Sequence, residues 1–131
     1  MLLYAAALRL REPLRLRIRD VDLEGRLLFI DNTKFYKQRC VPIGERAARR
    51  LASYFQERCR LFPHRGAPED AFFLNSQGNP FQPLAVEEAF RRALDALELR
   101  GRGTRPRPRL HDLRHSAAVH KLYQWYSAAC L

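Results

Sequence analysis

Apolar residues recur along the chain with two different periods, and the changes of period mark its elements. Leu3, Ala6, Ala7 and Leu10 fall at helical spacing, which predicts a helix over Leu2 to Leu10 that Pro13 ends or follows by opening the next. Arg9 then sits at a bend. After the break at Glu24-Gly25, Arg26 to Ile30 predicts a strand, and Gln38 to Ile43 its antiparallel partner. Asp31-Asn32-Thr33 starts the turn between them, with Lys34, Tyr36 and Lys37 at or near its tip. From Gly44 to Phe62, Ala47, Leu51, Tyr54, Phe55 and Phe62 alternate with Arg46, Arg49, Arg50, Glu57 and Arg58, the pattern of an amphipathic helix.

Ala71 to Leu74 predicts a short buried strand between the loop Pro63 to Pro68, where His64 reads as a solvated histidine, and the turn cluster Asn75 to Pro80. Pro83 suits a first helical position, and Val86, Ala89, Phe90, Ala93, Leu94 and Leu97 make an apolar stripe, so this helix is expected to be mainly core. Past Pro108, Leu110 to Tyr126 predicts a last helix bearing Leu110, Leu113, Ala117, Val119, Leu122 and Trp125. The sum is one domain over residues 1–131, mainly α with a small antiparallel β-sheet, an α+β fold.

Composition changes this picture in one direction. The 131 residues carry 24 Lys and Arg against 14 Asp and Glu, a net charge of +10, the electrostatic footprint of a polyanion binder. Arg100 to Arg109 concentrates it, since Arg102, Arg105, Arg107 and Arg109 fall in a Gly- and Pro-broken loop attractive to phosphates. Arg11, Arg15, Arg17 and Arg19 make a second basic rim or face water. Cys40, Cys59 and Cys130 have neither disulfide-framework nor zinc-knuckle spacing, and a reducing cytoplasm suits them. No apolar run approaches a membrane span and no signal-peptide pattern opens the chain, so no membrane partner is expected.

The candidate chemistry lies at the two ends. In a helix, His111 and Arg114 are an i,i+3 pair and share one face, so one small anion can touch both. Arg offers a planar fork to two phosphate oxygens, and imidazole donates a hydrogen bond or moves a proton near neutrality. With Arg9 they would form an electrostatic cradle for a pentacoordinate phosphorus, with no metal or other cofactor required. His111 and His115 at i,i+4 with Asp112 between them also leave a zinc site open, although such sites use Glu as the base.

Three stretches in this order resemble the tyrosine recombinase, or phage integrase, family. Tyr4-Ala5-Ala6-Ala7-Leu8-Arg9-Leu10-Arg11-Glu12 is similar to its first arginine box, and Leu110-His111-Asp112-Leu113-Arg114-His115 to its H-x-x-R box. Between them, Asn32 to Ile43 resembles the β-hairpin carrying the family's catalytic lysine, which matches Lys34. The resemblance implies an integrase-like catalytic core in which a tyrosine attacks a DNA phosphodiester to give a 3′-phosphotyrosyl intermediate. Arg9 and Arg114 would hold the non-bridging oxygens, Lys34 would protonate the leaving 5′-oxygen, and His111 would assist proton transfer. Glu12 would brace Arg9, His115 would support the phosphate site from behind, and Lys37 with the basic loop would meet DNA. Double-stranded DNA and other recombinase protomers are the implied partners, with no small-molecule substrate.

In the family a second histidine or tryptophan box and then the nucleophilic tyrosine follow the H-x-x-R arginine. Tyr123 and Tyr126 lie nine and twelve residues after Arg114, on the same expected helix, and read as packing residues. The expectation is therefore a partial catalytic domain, without its own nucleophile or the family's DNA-clamping amino-terminal domain, not competent for cleavage alone. Apolar surface should be exposed where family segments would have packed. The competing reading is a non-catalytic DNA-binding remnant or regulator derived from a recombinase, and a third is a helical interaction domain with incidental basicity.

Overall fold

The structure, a computed structural model, describes residues 1–32, 37–99, 101 and 103–129. Lys34, at the expected hairpin tip, and Arg102, in the basic loop, lie outside the described residues. The architecture is α+β as expected, with five α-helices and one three-stranded sheet among the described residues.

Helix α1 (Leu2–Ala5) stops well before Leu10. Ala7 takes φ +51°, the left-handed region, which turns the chain and leaves Arg9 between α1 and the single turn α2 (Arg11–Leu14). Periodicity cannot anticipate a left-handed alanine, because its Cβ disfavours that conformation. Ala7→Gly is accordingly expected to stabilise the chain by about 1 kcal/mol, read as a higher urea midpoint at unchanged m-value. Pro13 is buried inside α2, where its fixed φ suits a first turn.

A 3-10 turn (Ile18–Asp20) leads into β1 (Val21–Asp22), followed by β2 (Leu27–Asn32) and β3 (Lys37–Pro42), all antiparallel in the order β1-β2-β3. The sequence pattern missed β1, which is only two residues long. Leu28 and Ile30 are buried and Phe29 faces out, the period of two that fixes the register. Arg39 pairs directly with Ile30 and so shares its inward side of the sheet.

Helix α3 (Glu45–Leu61) matches its expected span and buries Ala47, Ala48 and Leu51 against the sheet's apolar core. Its Arg58 is also buried and, among the described residues, has no carboxylate partner. Instead its guanidinium donates to the carbonyls of Arg65 and Ala71 at 2.6 and 2.7 Å, pinning the following loop to the helix. That loop delivers Phe72 to the centre, although Ala71 to Leu74 forms only isolated bridges and not the expected strand. The Phe72 N–H donates to the Leu16 carbonyl at 2.8 Å and the Ile18 N–H to the Asp70 carbonyl at 3.0 Å, one bridge and not a ladder.

Helix α4 (Pro83–Ala96) starts at its proline as expected, but it is not mainly core. Only Leu94 of its apolar stripe is buried, and Ala89, Ala93 and Leu97 are exposed. Helix α5 (Leu110–Ala129) packs on α1, and the Tyr4 hydroxyl shares a 2.6 Å hydrogen bond with His120 Nδ1. Beyond Ala117 its side chains stand in solvent, with Val119, Leu122 and Trp125 exposed, as the expected uncovered apolar surface. Tyr123 and Tyr126, expected to pack, are 71% and 73% exposed. Among the described residues no helix is long and apolar enough to cross a membrane.

Candidate functional site

The Arg9 corner is closed by its own third neighbour. The Glu12 N–H donates to the Arg9 carbonyl at 3.0 Å, and the Arg9 N–H donates to Glu12 Oε2 at 2.8 Å. Glu12 was expected to brace Arg9, and it does so through the backbone. Its ion pair is with Arg39 of β3, whose Nη1 and Nη2 donate to Oε1 and Oε2 at 2.8 and 2.9 Å. Arg39 escaped sequence reasoning because it acts across 27 residues. The one available signal was an arginine placed on a strand's inward side, which requires a partner.

Burial raises the Glu12 pKa, but hydrogen bonds from Arg39 and the Arg9 N–H, with both guanidinium charges, outweigh it and leave the pKa below the usual glutamate value. A depressed carboxylate pKa contributes stability that is fully present above the unfolded value and is lost as pH falls through the folded one. The stability difference between the native chain and Glu12→Gln should therefore hold steady from neutrality down to about pH 4.5 and shrink below it. Urea titrations at stepped pH measure this.

At the other end, the Arg109 N–H donates to Asp112 Oδ2 at 2.7 Å, the third-residue acid of a helix start. His111 thus falls in the first turn of α5, where backbone N–H groups have no helical partner and the dipole favours anions. His111 and Arg114 are on one helix face as the spacing required. His115 stands edge-on to His111, with ring centroids 4.6 Å apart. Arg114 is half-buried, and no described residue pairs with it.

A cleft opens at each of these ends. One of about 650 Å³ is lined by Arg9, Arg11, Glu12, Arg15, Arg17, Phe29 and Glu87. A second of about 430 Å³ is lined by Phe90, Arg91, Arg107, Arg109, His111 and again Glu87. Glu87 of α4 borders both, so Arg9 and His111 open onto adjoining spaces; Arg114 lines neither. Sequence reading gave Glu87 no role, since an exposed helical glutamate carries no signal by itself.

The basic residues divide into engaged and unengaged. Arg107, expected to meet DNA, donates to Asp95 Oδ1 and the Arg91 carbonyl at 2.7 and 2.8 Å and ties the loop to α4. Arg17 and Arg19 of the rim both pair with Glu69. Arg105 is exposed, and Arg109 is exposed with only a 3.8 Å pairing to Asp112. Lys37 opens β3 opposite Asn32. Among the described residues no group of three or more His, Cys, Asp or Glu is placed to hold a metal ion, which the His111 and His115 spacing had left open.

Known proteins resemble the chain over nearly its whole length. The phage integrase family profile matches residues 1–125. A putative integrase/recombinase, y4rE, of Sinorhizobium fredii is 37% identical over 95% of this chain and 39% of its own length. The tyrosine recombinase XerC of Chlorobaculum tepidum is 37% identical over 92% of this chain and 35% of its own. In three dimensions, a XerA recombinase superposes with a TM-score of 0.74 at 25% identity, covering 92% of this chain and 41% of that one. XerH site-specific recombinase, solved bound to its difH substrate, superposes with a TM-score of 0.68 at 26% identity over 94% of this chain and 34% of that one. The chain thus spans about two-fifths or less of these four relatives. Its two arginine boxes, its hairpin and its helical framework are those of one lineage, and the chain belongs to the phage integrase family of tyrosine recombinases.

Proposed function

We propose that this chain is the phosphate-holding part of a tyrosine recombinase domain that binds double-stranded DNA for site-specific recombination or integration. Arg9 and Arg114 hold the non-bridging oxygens of the scissile phosphate, His111 moves a proton, and Lys34 protonates the leaving 5′-oxygen. His115 supports His111. Arg105, Arg109, Lys37 and Arg102 meet the DNA backbone, in the cytoplasm and beside other recombinase protomers on a mobile element. The observation that carries this reading is the meeting of two basic clefts at Glu87, one opened by Arg9 and the other by His111.

The nucleophilic tyrosine comes from outside residues 1–131. Nine and twelve residues of helix put Tyr123 and Tyr126 about 13 and 18 Å along the axis from Arg114, with Tyr123 on the opposite face. Both are exposed. The same observation favours a second reading, in which the chain is a non-catalytic DNA-binding module of recombinase descent.

Duplex DNA titrated by anisotropy at stepped salt tests what the two readings share. Affinity should fall steeply with salt, and Arg114→Ala should weaken it about tenfold while lowering the slope of log affinity against log salt by about 1. Unchanged affinity and slope in Arg114→Ala would remove the phosphate site from consideration.

A further inference from the structure

Arg9 and Glu12 create a chemical problem for a phosphate site. A carboxylate three residues from an arginine is a rival to phosphate for the same guanidinium, and a freely turning Glu12 would neutralise Arg9. The structure resolves the rivalry with a third residue. Both Glu12 oxygens accept from the Arg39 fork, and Oε2 also accepts the Arg9 N–H. Glu12 is held largely out of water, its side chain 14% exposed. No described residue bonds the Arg9 guanidinium, and Arg9 lines the larger of the two clefts.

We propose that Arg39 is a positioning residue for the phosphate site: by occupying the Glu12 carboxylate from β3, it fixes the Arg9 backbone and keeps the Arg9 guanidinium available to phosphate. This rests on the phosphate-site reading given above. Three features are asked of residue 39, two that arginine alone supplies and one that its place on the strand supplies. Its charge is permanent, its fork matches a carboxylate at both oxygens, and its strand is anchored by pairing with buried Ile30. A lysine offers one point charge and leaves one Glu12 oxygen free to turn toward Arg9.

The test uses inorganic phosphate and the 15N-labelled chain, read at the Arg9 backbone amide and side-chain Nε–H signals. In the native chain phosphate should move the Arg9 Nε–H signal. Arg39→Ala should weaken that response about tenfold, the scale of one charge-assisted hydrogen bond lost to a competitor, and Arg39→Lys should fall between. The double variant Glu12→Gln with Arg39→Ala should recover affinity to the level of Glu12→Gln alone, because the rival charge is gone. A role for Arg39 confined to holding β3 in place does not produce that recovery.

A double variant as weak as Arg39→Ala alone overturns the proposal, since Arg39 would then meet the anion itself. A native response that Arg39→Ala leaves unchanged also overturns it while the phosphate site stands. Absence of any phosphate response at Arg9 in the native chain overturns the phosphate site and this role together. Should Arg39→Ala fail to fold by circular dichroism, Arg39→Lys and the native chain decide. The native Arg9 amide must then titrate with a carboxylate below the usual glutamate range, and an amide insensitive to acid down to unfolding overturns the proposal.

Discussion

Arg9→Ala is expected to lower covalent protein–DNA product by about 10²–10³-fold, the scale of removing one preorganised donor from a developing oxyanion. The assay supplies a nicked suicide substrate and, in trans, a recombinase fragment bearing the nucleophilic tyrosine. The Arg9 guanidinium lines the open cleft, and its backbone is closed at both ends by Glu12, so the loss falls on chemistry and not on folding. Arg9→Lys should recover little, because a point charge cannot bridge two oxygens. If the native mixture gives no covalent product while DNA binding persists, the non-catalytic reading is the correct one. If Arg9→Ala yields as much product as the native chain, Arg9 does not touch the phosphate.

Phe72→Ala is expected to destabilise the chain by about 3–5 kcal/mol, a large share of what a domain of this size holds in reserve. Phe72 is 1% exposed. It stacks on Phe55 at 5.5 Å and meets Phe73 and Tyr54 at 5.0 and 5.8 Å. Its segment is tethered by single bonds, the Tyr54 hydroxyl accepting the Leu74 N–H at 2.8 Å and Arg58 gripping Ala71. Without a sheet to hold this segment in place, side-chain packing is what keeps it inside. The drop in urea midpoint measures the cost, and a shift below about 1 kcal/mol would mean that the cavity collapses freely.

What the sequence revealed follows from the range of each interaction. The α3 span, the β2–β3 pairing and the common face of His111 and Arg114 depend on neighbours a few residues apart, and periodicity encodes them. Burial of α4 does not, because an apolar stripe says which face is apolar and not whether anything covers it. For the same reason Tyr123 and Tyr126, which read as packing residues, stand exposed. The α1 terminus was lost to one left-handed alanine. Arg39 and Glu12 lie on different elements, so nothing in either local pattern announces their pairing. Arg107 shows the converse: a basic loop suggested DNA, and Asp95 of α4 claims one of its charges.

Tyr4 and His120 touch across a separation of 116 residues. The three strands, by contrast, close on short connections in chain order and can form early. Arg9 and His111 lie at opposite ends of this stretch, so the elements that carry them come together only when α5 settles on α1, a contact of long sequence separation whose loop-closure cost favours late formation. A partly folded chain therefore carries the positive charge of its loops before Arg9 and His111 open onto adjoining spaces.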